Sequence, residues 1–326
     1  MMIPDGAPSY IDGEIQSLEA FNEAVSQTGW ETDTRQLDLH AKSVRFAACI
    51  GQDLILLKVY FPNRAHQQAK PPGDRITFGI PAAPQTDLRI GGAPVSSESI
   101  TCFTDGLETV SEPMFSAYTI SLDARRLQSS ASRLSPGRDP AFSAENRQVD
   151  TRTLTRIRHG LSEILEFAGN PALPEATRTS LFENFEAQLP GMLSSLWLGA
   201  EPRTAHVGTG RRREVTRRTM DFLSTDARRQ CRIEDLCAAG ACSQRTLERS
   251  YREQFGITPK QYLNRIRLAA VHRALLKSGE ERSIGDIAAY WGFWHLSQFA
   301  ANYRAMYGEP PSQTAQRSRT AQRTAL

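Results

Sequence analysis

The sequence predicts an α+β protein, β-rich at its N-terminal end and all-α at its C-terminal end. Three observations lead there. Short runs of Val, Ile, Leu, Phe and Tyr recur between about residues 33 and 123, with Gly or Pro in the gaps. From Arg211 to about residue 307 the apolar positions recur at helical spacing instead. The charge divides the same way. Residues 1–204 carry 18 Lys+Arg and 25 Asp+Glu, net −7, whereas residues 205–326 carry 21 and 11, net +10, so the overall +3 is a cancellation.

In chain order, residues 10–30 read as a short helix with Leu18, Phe21 and Val25 on its apolar side. Strands are expected at Ser43–Ile50 and Leu54–Phe61, joined by a hairpin turn at Gly51, Gln52 and Asp53. Arg75–Ile80, Asp87–Ile90, Ile100–Phe103 and Phe115–Leu122 continue the pattern, which suits a sandwich or small barrel. Gln128–Asp150 is polar and reads as a linker. Residues 151–198 hold two amphipathic helices, one with Leu154, Ile157, Leu161, Ile164, Leu165 and Ala168, the other with Leu181, Phe182, Phe185, Leu189, Leu193, Leu196 and Trp197. These helices could pack on the β part or form an inter-subunit surface. Glu201–Gly210 is a second linker. The expected domains are therefore 1–127 (β-rich), 128–150 (linker), 151–204 (helical, dimerising) and 205–326.

The last of these contains an internal repeat. Leu247, Tyr251, Phe255, Gly256 and Pro259 recur as Phe299, Tyr303, Tyr307, Gly308 and Pro311, 52 residues on. Ile233, Leu236 and Cys237 recur as Ile284, Ile287 and Ala288, so the second copy has one extra residue in its turn. Each copy reads as a helix-turn-helix. In the first, Gly240 supplies a tight turn and Ser243 caps the second helix. In the second, Ser283 opens the first helix and Gly292-Phe293 forms the turn. A helix at Gln261–Lys277, roughly 25 Å long, joins them. The faces left outward carry Ser243, Gln244, Arg245, Glu248, Arg249 and Arg252 in one copy, and His295, Leu296, Ser297, Gln298, Asn302 and Arg304 in the other. Arg suits guanine edges and Gln suits adenine. The basic excess, nearly all Arg, suits phosphates.

Other chemistries lack their residues. The β part has only His40 and His66, 26 residues apart, so no metal is expected there. Gly208-Thr-Gly210 lacks the rest of a nucleotide loop. No catalytic constellation is present, and no cofactor is expected. The longest purely aliphatic run is Leu54–Leu57 and the N-terminus has no apolar signal region, so neither a membrane span nor export is expected. Five cysteines, an odd number, read as free thiols in the cytoplasm.

Residues 213–316 resemble the AraC/XylS family of bacterial transcription regulators. The likeness rests on Ala239-Gly240-Ala241-Cys242-Ser243, Arg245-Thr246-Leu247, Phe255-Gly256-Ile257-Thr258-Pro259, Ile287-Ala288, Gly292-Phe293 and Tyr307-Gly308-Glu309-Pro310-Pro311-Ser312. It implies two recognition helices entering successive major grooves, about 34 Å apart on one face of the duplex. Base readout then falls to Ser243, Gln244, Arg245, Glu248, Arg249, His295, Leu296, Ser297, Gln298 and Asn302. Phosphate contacts fall to Arg217, Arg218, Arg252, Arg267 and Arg304. Ala301 stands where the family commonly has a basic residue. Trp294 is also atypical, either packing on the sugar-phosphate or shielding the turn. The N-terminal part is similar, more weakly, to the family's cupin-like barrel sensors.

The function expected is an effector-responsive, sequence-specific activator. It would work as a homodimer on double-stranded DNA, with RNA polymerase and a small effector as partners. The alternatives are a constitutive DNA-binding regulator whose β domain only dimerises, and an enzyme fused to a DNA-binding module.

Overall fold

The structure is a computed structural model and describes residues 8–40, 42–83, 88–104, 106–136, 142–202, 210–224, 230–277 and 282–325. Asp87, the middle of the 128–150 stretch, most of the 201–210 stretch and the 204/205 boundary lie outside them. The chain divides into two compact units, Met1–Thr34 with Ser43–His206, and Arg35–Lys42 with Val207–Leu326.

In chain order the first part runs β1 (Ser9–Ile15), α1 (Leu18–Ser26), β2 (Glu31–Gln36), β3 (Val44–Ile50), β4 (Leu54–Phe61), β5 (Ala65–Lys70), β6 (Arg75–Pro81), β7 (Leu88–Ile90), β8 (Ala93–Val95), β9 (Ser99–Phe103), β10 (Leu107–Ser111) and β11 (Phe115–Asp123). It continues with α2 (Ala124–Leu134), β12 (Glu145–Gln148), α3 (Thr151–Gly169), α4 (Glu175–Gly199) and β13 (Glu201–Pro202). The strands form two sheets, ordered β1-β3-β4-β11-β6-β9-β12-β13 and β2-β5-β10-β7-β8. Neither closes on itself among the described residues, so the expected closed barrel is instead a pair of open sheets.

Alternation along the central strands assigns their side chains to opposite faces. Leu54 and Leu56 of β4, and Tyr118, Ile120 and Leu122 of β11, join one core with Leu154, Leu161 and Ile164 of α3 and Phe182, Leu189, Leu193 and Trp197 of α4. Val59 and Phe61, with Phe115 and Ala117, turn the other way and pack with Phe21 of α1. Both faces of the central sheet are therefore covered, which is why β4 is apolar at every position but Lys58. The pairing agrees in register, Ile120 standing between Leu56 and Phe78.

The helices at 151–198 spend their apolar stripes on this sheet. Trp197, fully buried, meets the Phe78 ring at 5.6 Å and the Arg147 guanidinium at 4.3 Å. Arg158 of α3 reaches the sheet layer, its Nε donating to the Pro81 carbonyl at 2.7 Å and its Nη2 to that of Ser97. The 128–150 stretch is not only a linker. Asp123 caps α2, which packs through Leu127 and Ala131, and β12 pairs with β9. Strand β1 also replaces the front of the expected 10–30 helix, paired along its whole length with β3.

A cavity of about 260 Å³ lies on the α1 side of the central sheet, between it and the second sheet.

The second unit holds α5 (Gly210–Ser224), α6 (Ile233–Ala239), α7 (Gln244–Phe255), α8 (Pro259–Leu276), α9 (Ile284–Tyr290), α10 (Leu296–Tyr307) and α11 (Pro311–Ala325). Thr258 and Gln261 form a capping box at the start of α8, with Pro259 in the first turn. Buried side chains surround α8 instead of lining one stripe: Tyr262 stacks near Tyr251 and Phe255 of α7, while Leu268, Val271 and Leu275 join Ile287, Phe299 and Tyr303 of the second copy. The unit also takes in residues 35–42. There the Arg35 Nη1 donates to the Tyr262 hydroxyl at 3.1 Å and the His40 amide to the Ala305 carbonyl at 2.8 Å.

A chain of hydrogen bonds fixes the second copy to α8. The Thr314 hydroxyl donates to Glu309 at 2.6 Å and Tyr303 donates to Thr314 at 3.0 Å, so the Tyr303 oxygen accepts from His272 Nδ1–H at 2.6 Å. His272 is buried and stacks on Tyr307, 4.0 Å between ring centres. Burial, helped by Arg317 and Arg273, pushes its pKa down to about 4.

Two consequences can be measured. Trp197→Ala should cost about 3–5 kcal/mol, because no neighbour can fill the void; chemical denaturation followed by near-ultraviolet circular dichroism would read it. As pH falls from 6.5 to about 4, unfolded chains protonate His272 and folded ones do not. The full contribution is present above pH 6.5 and is lost across that window, by up to about 3 kcal/mol. His272→Gln should flatten this slope relative to the unsubstituted chain in urea titrations at pH 7.5 and 4.5.

Candidate nucleic-acid interface

Local sequence sets both second helices. Ser243 Oγ accepts the Thr246 amide at 3.3 Å to start α7, and Gly256 ends it in the left-handed region at φ 72°. Helix α10 begins after His295 and ends the same way at Gly308, φ 77°. In α7, Leu247, Tyr251 and Phe255 are fully buried, which leaves Gln244, Arg245, Arg249 and Arg252 exposed. Arg245, Glu248, Arg249 and Arg252 border one open hollow with Glu253. In α10, Phe299 and Tyr303 are buried while His295, Leu296, Ser297, Gln298 and Arg304 are exposed and Asn302 is half-buried. Short bonds on each face, Gln244 to Glu248 at 3.2 Å and Gln298 to Asn302 at 3.0 Å, hold the polar side chains in defined directions.

The turns differ in mechanism. Gly240, expected to supply a tight turn, has a φ of −76°, and Ala241 beside it takes the positive φ of 45°. Gly240 is needed for closeness instead: a Cβ there would meet the Leu236 carbonyl, Cys242 Sγ and Thr219 Cγ2, each at 3.2 Å. In the second copy Gly292 does supply the left-handed turn, φ 84°.

The Arg residues away from the two faces are placed differently from one another. Arg217 and Arg218 are exposed on α5 but grip Glu214 at 2.7 Å, and their hydrogen bonds hold that carboxyl down at about 2. Arg217 also pairs with Asp221. Arg267 departs from the expected phosphate role. It is half-buried, its Nη2 donates to the Cys231 carbonyl at 2.7 Å, and burial lowers its pKa. It secures the entry to α6. Trp294 does not shield the turn, being 73% exposed; Phe293 packs there instead, 5.1 Å from Phe299. Sequence reasoning passed over Arg282. Arg282 lies over the Tyr290 ring at 5.1 Å.

Among the described residues no three His, Cys, Asp or Glu gather as metal ligands, and no helix is long and apolar enough to cross a membrane. All five cysteines are free, and burial pushes Cys49 and Cys102 up to about 12.

Residues 236–317 match the family model of a helix-turn-helix domain. The chain is 36% identical over 98 residues to the XylDLEGF operon transcriptional activator of Pseudomonas putida, which is 30% of each chain. It is 36% identical over 89 residues to the HTH-type transcriptional activator RhaR of Klebsiella pneumoniae, 27% of this chain and 31% of that one. The match thus spans about 30% of the length of these relatives. The solved AraC-like transcriptional activator CuxR aligns with 86% of this chain and 100% of its own, at 11% identity and a TM-score of 0.40, too slight a likeness to bear on function. The sequence relatives are named as transcriptional activators, and residues 236–317 match a helix-turn-helix domain.

Proposed function

We propose that the protein is a sequence-specific, effector-responsive transcription activator that reads two successive major grooves through α7 and α10. One observation carries this: two helices at equivalent places in a repeat, each closed by a left-handed Gly, bury an aromatic stripe and expose a polar one. Base readout belongs to Ser243, Gln244, Arg245, Glu248 and Arg249 on the first, and to His295, Leu296, Ser297, Gln298 and Asn302 on the second. Arg252 and Arg304, in the last turns, take phosphates, joined by Arg217 and Arg218 once they release Glu214. Ala301 leaves the second face with less positive charge than the first.

The cavity of the first unit favours an effector-responsive regulator over a constitutive one. The β-rich part then acts as a cupin-like sensor, although its sheets are open. A homodimer is part of the proposal. Most of the 151–198 apolar surface is spent on the sheet, but Leu181 and Met192, eleven residues apart and so on one side of α4, stay exposed. Such an activator works in the cytoplasm and contacts RNA polymerase.

The test begins by selecting bound duplexes from a random DNA pool. On the selected site Arg245→Ala should cost about 1–3 kcal/mol and relax one base position. An equal loss on random DNA would make Arg245 a phosphate contact. Affinity should also fall steeply as salt is raised, since several phosphates are neutralised. A salt-independent affinity would remove the DNA-binding reading.

A further inference from the structure

The cavity of the first unit has a definite chemistry. Its walls come from β1, β3, β4, β9 and β11 of the central sheet, from α1, and from β5 and β10 of the second sheet. None of its lining side chains is charged. Small residues, Ala24, Ala48 and Ala69, face it where larger ones would close it. Protein interiors rarely keep a void larger than a water molecule, so a space of about 260 Å³ has the size of a small-ligand site, not of a packing gap.

Its polar groups are few and mostly occupied. The Ser121 hydroxyl shares a hydrogen bond with Thr77 at 2.9 Å, Thr28 donates to the Val25 carbonyl at 2.7 Å, and Gln67 reaches Thr32 at 3.5 Å. Thr119, half-buried on β11, has no hydrogen-bond partner for its hydroxyl among the described residues. Its neighbours across the strands, Leu57 and Gly79, have no side-chain polar group to offer.

We propose that this cavity binds an uncharged, largely apolar molecule of about ten heavy atoms, with one hydroxyl or carbonyl group held by Thr119. The proposal rests on the effector-responsive reading above and names the chemical class of that effector. Apolar walls favour a hydrocarbon or aromatic skeleton. A carboxylate of the same shape would be buried with no counter-charge, which is strongly unfavourable.

Calorimetric titration of the full chain with 2-naphthol, naphthalene and 2-naphthoate tests it. 2-Naphthol should bind, and 2-naphthoate should bind at least about tenfold more weakly. Thr119→Val should weaken 2-naphthol severalfold and leave naphthalene unchanged, while Ala48→Phe should abolish both, with circular dichroism to show that each variant is folded. Equal or tighter binding of 2-naphthoate overturns the proposal. So does failure of both 2-naphthol and naphthalene to bind, or 2-naphthol binding that neither substitution alters. Affinity for the selected DNA, measured with and without 2-naphthol, separates the two readings. Binding in the cavity with no change in DNA affinity supports the ligand class and overturns the effector role. A DNA response to 2-naphthoate in preference to 2-naphthol keeps the effector role and overturns the ligand class.

Discussion

Burial around helix α8 is the constraint on which the DNA-binding unit depends. A helix packed on one side needs one apolar stripe, but α8 serves two small cores and is buried nearly all round. Tyr262 faces Tyr251 and Phe255 of α7, and Leu263 and Ile266 near it are buried. A turn further on, Leu268, Val271, His272 and Leu275 face α9, α10 and α11. Neither helix-turn-helix is large enough to bury a core alone. Sharing one rigid helix lets each complete its core on the other's scaffold. Because α7 and α10 both spend their aromatic faces on that shared core, their polar faces are left for a partner.

The same division of faces organises the first unit. Strands β4 and β11 put alternate side chains into a helix-covered core and into the space below α1. The helix-covered side is filled by large side chains, Trp197, Phe78 and Phe182 among them. The other side is lined in part by alanines and is left with a void. A cavity survives there because the surrounding sheets and α1 are held apart by their own pairing and packing, so the walls cannot collapse to fill it.

How far the sequence could be read followed how far each element advertises its own burial. The strands at 44–50, 54–61, 75–81 and 115–123 are apolar runs and were legible, as was the turn at Gly51. Strands β1, β5 and β10, with sequences SYIDGEI, AHQQAK and LETVS, carry too few apolar residues to be recognised. They exist because a neighbour supplies hydrogen bonds along their length. Helix α2 escaped notice because only Leu127, Ser130 and Ala131 of its eleven residues are buried. At the candidate interface, the i, i+4, i+8 spacing of Leu247, Tyr251 and Phe255 was enough to put Arg245 and Arg249 outside. It could not say that Arg267 would turn inward, since that depends on where the Cys231 carbonyl lies in space.

By itself, then, the sequence determined the repeat, its caps and its closing glycines, because these are local: a Ser hydroxyl reaches an amide three residues on, and a left-handed residue ends a helix wherever it stands. It also determined the separation of charge and the helix-turn-helix assignment that follows. The tertiary structure alone decided what depends on distant partners. It set the strand orders, the tie of residues 35–42 to Tyr262 and Ala305, the outward position of Trp294, and the close approach that requires Gly240. It also decided that the first unit has an uncharged cavity, since that is a property of walls drawn from eight separate elements. No periodicity along a single element encodes a space between several.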